Sequence, residues 1–196
     1  MLFIKFIIQD QDKYRDFKEI YNHMVMTRRP GFEFKEDEPP EIDWSAPQNE
    51  IDKTIELVDF FFDTSDEERR YQKLIPHYVN LYFEKYTGFD SKRAGQFSFE
   101  VLDIFNYLEF SFEVVFSNLQ NLESNIGLIE FEALAFPFGG MERFLITLKA
   151  YGLKPIECFN GFTIYKFNWT SEFIHEAISL PEATVAYKNS RDYLFQ

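Results

Sequence analysis

Five glutamates, Glu100, Glu109, Glu113, Glu130 and Glu132, fall within residues 94 to 142, a stretch that contains no lysine or arginine. Strand-like alternation would set them side by side. Residues 97 to 102 place Phe97, Phe99 and Val101 on one side, and residues 107 to 116 place Leu108, Phe110, Phe112, Val114 and Phe116 there. Glu100, Glu109 and Glu113 would then project from the opposite face, while Glu130 and Glu132 share one side of a strand over 128 to 136. Neighbouring strands stand about 4.8 Å apart, so opposed carboxylates repel and one pKa rises unless a cation intervenes. Such a face suits two chemistries. It can dock a basic protein, with Tyr107 as an aromatic anchor and the acids steering association. Alternatively, its carboxylates can bind a divalent cation or act as an acid/base pair in hydrolysis. The plain alternative is a solvated sheet face balanced by lysines from elsewhere, such as Lys149, Lys154 or Lys166.

Other chemistries find less support. There is no Gly-x-Ser-x-Gly elbow, and the single cysteine, Cys158, falls mid-strand, where a thiol is usually a small buried hydrophobe. His23, His77 and His175 fall on three separate predicted helices, and His175-Glu176 lacks the second histidine of a zincin helix. No metal site and no cofactor site is assigned. The one glycine pair, Gly139-Gly140, lies between a predicted strand and a predicted helix, with Arg143 a turn further on. Its backbone amides could hold an anion, although Glu142 already occupies the favourable dipole position and would repel a phosphate.

Charge and composition bound the function. The chain has 196 residues and a formal net charge of -13, of which residues 94 to 142 carry -8. That balance argues against sequence-independent nucleic-acid binding and against anionic membrane surfaces. No apolar run approaches the roughly 20 residues that span a bilayer, and the opening MLFIKFIIQDQDK lacks the basic segment and cleavage site of a signal peptide. One cysteine excludes an intrachain disulfide and fits a reducing compartment, so a soluble cytoplasmic protein is expected. Twenty-five phenylalanines and eleven tyrosines predict an aromatic core.

The elements that must position these groups follow from local pattern. LFIKFII predicts a strand, and Asp10 or Asp12 caps a helix with Tyr14, Phe17, Ile20, Tyr21, Met24 and Val25 on one stripe. Residues 31 to 50 hold three prolines and many acids, predicting a long acidic surface loop that Trp44 pins to the body. The apolar run at 53 to 63 fits either a strand or a buried helix turn by its period, and the strand is favoured. Ser65 with Glu68 forms a capping box, opening a helix that Pro76 kinks or splits and Gly88 ends. The polar residues 117 to 125 read as a loop or one short helical turn. A helix from Met141 to Tyr151 stops at Gly152, and Asn160-Gly161 turns a hairpin. Thr170 or Ser171 caps a short helix ending before Pro181, and residues 182 to 196 look irregular.

Strands and helices do not alternate strictly. The expected fold is therefore one α+β domain over residues 1 to 196, a mixed, mainly antiparallel sheet with helices largely on one face. No motif marks a family. The expected function is a non-enzymatic interaction module that presents an acidic, aromatic sheet face to a basic partner, with the charge logic of inhibitors and immunity proteins. A carboxylate-dependent, metal-assisted hydrolase and a small-ligand binder with an aromatic-lined pocket are the alternatives.

Overall fold

The computed structural model describes residues 1 to 35, 37 to 94, 100 to 123, 125 to 133 and 141 to 192. β1 (Leu2–Ile8) leads into α1 (Gln11–Thr27). After a stretch without regular structure come α2 (Gln48–Asp63), α3 (Asp66–Leu74), α4 (His77–Ala94), α5 (Val101–Asn106) and a π-helical turn (Tyr107–Ser111). β2 (Val114–Glu123), β3 (Ile126–Ala133), α6 (Met141–Ala150), β4 (Leu153–Phe159), β5 (Ile164–Trp169), β6 (His175–Ser179) and α7 (Pro181–Asp192) complete the chain.

The six strands form one antiparallel sheet in the order β2-β3-β1-β4-β5-β6. Within it β1-α1-β2-β3-α6-β4 is a split β-α-β arrangement, with α2 to α5 inserted between α1 and β2. The fold is α+β, as the patterning implied. Alternation along β1 decides the two faces: Ile4, Phe6 and Ile8 point into the main core with Phe17, Ile20 and Met24 of α1 and Phe144 and Leu148 of α6. Phe3 points the other way, where, among the described helices, α7 packs on the sheet and Tyr187 meets Phe3 and Phe159. Gly127 faces Phe6 across β3 and β1, and a Cβ on it would overlap the Phe6 ring.

The centre of the core is aromatic. Phe112 packs on Phe116, Phe131 and Phe144, the last at 4.8 Å between ring centres. Rings in such offset and edge-on pairs contribute about 0.5 to 1.5 kcal/mol each beyond their burial.

Several local signals act as expected. The Asp10 side chain accepts from the amides of Asp12 and Lys13 and caps α1. Ser65 and Glu68 form their reciprocal cap, and Pro76 divides α3 from α4. Gly152 ends α6 at φ 65°, in the left-handed region that a side chain disfavours. The hairpin of β4 and β5 is present, with a longer connection than a two-residue turn, and the Asn160 side chain accepts from the amides of Phe162 and Thr163 across it.

Other expectations fail for identifiable reasons. Residues 53 to 63 are helical: the helix starts at Gln48 just after Pro47, and the three phenylalanines are spread around it with Phe60 and Phe62 exposed. Gly88 does not end α4, which continues to Ala94. Residues 101 to 111 are helical as well: Ile104, Phe105, Leu108 and Phe112 are all buried, and their spacing of one, four and eight residues is a helical stripe. The alternation read across 107 to 116 overlaps that stripe. β2 therefore begins only at Val114 and runs through the polar residues expected as a loop. As an edge strand paired on one side, broken by two register shifts, β2 tolerates a polar sequence.

At the C-terminal end, residues 170 to 174 form a turn in which the amides of Thr170 and Ser171 donate to the Ile174 carbonyl. Residues 175 to 179 are strand β6 rather than helix, and Phe173 packs on Tyr82, Tyr86 and Phe89 of α4. Of the segment expected to be irregular, residues 193 to 196 lie outside the described residues, and residues 182 to 192 belong to α7. Pro181 occupies its first position, where the missing amide costs nothing. Phe97 and Phe99 lie outside the described residues. No helix among the described residues is long and apolar enough to cross a membrane.

Candidate functional site

The acids predicted to share a sheet face do not come together. Glu100 sits at the start of α5, where its amide donates to Asp103. Glu113 is exposed just before β2. Glu130 and Glu132 do share the outer side of β3, and the Asn118 amide group donates to Glu130 at 3.1 Å. Two assignments are reversed by the helical backbone at 107 to 111. Tyr107 is 4 % exposed, too buried for a surface anchor, and the Arg143 guanidinium lies 5.7 Å from its ring centre. Glu109 is 1 % exposed and faces inward. Gly139 and Gly140 lie outside the described residues.

Glu109 is the hub of a buried ion cluster. The Arg70 guanidinium grips it with two bonds, Nε to Oε1 at 3.0 Å and Nη2 to Oε2 at 2.9 Å. His23 Nε2 stands 2.7 Å from Oε1. An ionised carboxylate only accepts, so Nε2 carries the proton and donates. Burial alone would raise the Glu109 carboxyl, but the bonds from His23 and Arg70 outweigh it and hold the group below the usual carboxylate range. Burial and then the nearby Glu109 charge push the neighbouring Glu67 carboxyl up.

Each partner arrives from a different element. His23 comes from the buried stripe of α1, Arg70 from α3 and Glu109 from the π-helical turn, a geometry rare enough to mark a constrained site. Phe34 closes the cluster from outside, with the Arg70 guanidinium 3.9 Å from its ring centre and Phe32 and Phe110 edge-on to it. Arg28 fastens the same turn from the end of α1. Its guanidinium donates to the carbonyls of Met24 at 2.7 Å and of Leu108 and Phe112 at 2.8 Å. Both oxygens of Glu109 accept from a charged or ring N–H donor and its side chain is fully buried, so the cluster is built to hold three helical segments in register.

Sequence reasoning missed this cluster, although one signal pointed to it. His23 lies between Ile20 and Met24 on an apolar stripe, and a buried imidazole there requires a polar partner. Cys158 is buried, and desolvation pushes its thiol up to about 12, the opposite of what a nucleophile needs. His77 opens α4, and His175 lies on β6 against Phe167 and Trp169. Among the described residues no three His, Cys, Asp or Glu side chains lie close enough together to hold a metal ion.

A second region stands out by what it leaves uncovered. Ile51 is the one residue of α2 that is buried, while Leu57, Phe60 and Phe62 are 55 %, 42 % and 71 % exposed. Trp44, in the preceding loop, is 71 % exposed and does not pin that loop to the body. The C-terminal end of α2 is tied down by Arg69, which donates to the carbonyls of Phe61 and Thr64 and stacks on the Phe61 ring. These rings belong to a strongly acidic stretch of the sequence. Residues 33 to 63 contain eleven acidic residues against Lys35 and Lys53. The outer face of the sheet is mixed by comparison, since Lys5 pairs with Glu157 at 2.6 Å and Lys166 lies opposite Glu157 on the next strand.

Comparison with protein-family models, with curated proteins and with solved structures finds no match to this chain.

Proposed function

We propose that the chain is a non-enzymatic protein-interaction module that presents an acidic, aromatic surface to a basic protein, and that this surface is the segment from Glu33 to Asp63. The observation that carries this reading is the exposure of Trp44, Leu57, Phe60 and Phe62 within the most acidic part of the sequence. Large rings and leucine in water are poor solubility devices but good anchors for a partner. Acids flanking them accelerate encounter with a basic partner and weaken association with acidic ones. The occupant is therefore a basic protein, chosen by charge complementarity. A single buried thiol fits a reducing compartment, and we place the protein in the cytoplasm.

Photo-crosslinking in cells tests the reading. A photoreactive phenylalanine analogue at position 60 or 62 of the full chain should give a dominant adduct with a basic protein, and 0.5 M salt added to the lysate before irradiation should suppress it. The same analogue at position 132, on the outer face of the sheet, should not give that adduct. No adduct at 60 or 62, or equal yields at 132, contradicts the proposal.

A further inference from the structure

Between α1, α3 and the loop that follows α1 lies a cavity of about 390 Å³, in the size range of small-ligand pockets. Met26, Phe32, Phe34 and Leu74 form its apolar wall. The charges around it are not equivalent, because most already have partners. Arg70 is committed to Glu109, and Arg69 to Asp66 with Asp37 at 3.9 Å. Among the described lining residues Lys35 and Lys73 remain, with Glu33 the one acid outside those pairs. With the guanidinium groups offset by their carboxylates, a cationic ligand would meet two ammonium groups against the single carboxylate of Glu33. An anion of one charge would meet two free donors and an apolar surface behind them.

We infer that this cavity binds a small organic carboxylate, its aromatic or branched aliphatic body against Met26, Phe32, Phe34 and Leu74 and its carboxylate between Lys35 and Lys73. Its lining takes Glu33, Phe34, Lys35 and Asp37 from the start of the segment proposed to meet a basic protein, but ligand binding here does not depend on that partner. The ion cluster beneath it supplies the floor: His23, which also lines the cavity, is hydrogen-bonded to Glu109. The apolar wall accounts for most of the affinity, because exposed lysines facing one charge in water add only a modest electrostatic gain.

NMR titration of the full chain with 4-phenylbutyrate, its neutral amide and the corresponding primary amine tests the inference. The carboxylate should produce saturable shifts at the backbone amides of Met26, Phe34 and Leu74. The neutral amide should bind at least threefold more weakly, and the amine should give no saturable shift. In a Lys35→Gln, Lys73→Gln double variant, carboxylate affinity should fall at least threefold while that of the neutral amide stays the same. Both lysines are exposed, so the variant keeps its fold. Amine binding equal to that of the carboxylate, equal binding of carboxylate and neutral amide, shifts confined to other residues, an unaffected double variant, or no saturable binding at all each overturns the inference.

Discussion

The ion cluster at Glu109 and the helix α2 use the same residue types in opposite ways. At Glu109 a carboxylate, a histidine, an arginine and the ring of Phe34 are drawn together, and the charges are saturated inside the protein. On α2 the acids and the rings are side by side but turned to solvent, with only Ile51 buried. The difference is one of partners. Where the fold supplies a counter-charge, an acidic aromatic sequence becomes framework. Where it supplies none, the sequence becomes surface, and the charge has to be met by water or by another molecule.

The largest effect that could break this comparison lies in the cluster. Glu109→Ala leaves the Arg70 guanidinium partly buried without its carboxylate and should cost about 3 to 5 kcal/mol, read as a lower urea midpoint. A loss under about 1 kcal/mol would mean that the cluster is not framework. Arg28→Ala removes the donors to the Met24, Leu108 and Phe112 carbonyls and should cost about 2 kcal/mol by the same measurement.

Acid sensitivity sharpens the point. The folded Glu109 carboxyl titrates below its unfolded value of about 4.3, so its stabilising contribution is complete above that pH and is lost as pH falls through the lower folded value. Thermal unfolding of the wild type should thus weaken steeply below about pH 4.3. Glu109→Gln, destabilised throughout, should show a shallower acid limb, and parallel limbs would contradict the assignment. The smallest effect belongs to α2. A Phe60→Ser, Phe62→Ser double variant should change stability by no more than about 0.5 kcal/mol in the same urea titration, because these side chains pack little in the fold.

How much of this was legible in the sequence depended on whether local pattern and tertiary context agreed. β1, α1, the Ser65 cap, α6 and the β4–β5 hairpin each carry a strong local signal that the fold also needs. The α+β class followed from them. The run at 53 to 63 was misread because three adjacent phenylalanines resemble a buried strand, whereas here they lie around a helix that the body barely covers. Between 101 and 116 two periodicities overlap, and the strand reading sent Glu109 and Tyr107 to the wrong side. Strand β2 was hidden because an edge strand needs little apolar sequence. The partnership of Glu109 with Arg70 spans 39 residues and with His23 spans 86, distances at which no local rule operates. By contrast, the acidity of residues 33 to 63 was countable from the start, but a strand assignment over 53 to 63 placed its phenylalanines in the core.

The central claim is that the partner reads α2 and not the sheet. Its most direct test is the crosslinking yield from position 62 in two charge-reversed chains. Reversing Glu56, Asp59 and Asp63 to lysine should lower the yield of the basic-protein adduct at least tenfold, while reversing Glu130 and Glu132 to lysine should leave it unchanged. The opposite pattern, with the adduct lost on reversal of the sheet acids and kept on reversal of the α2 acids, would contradict the account.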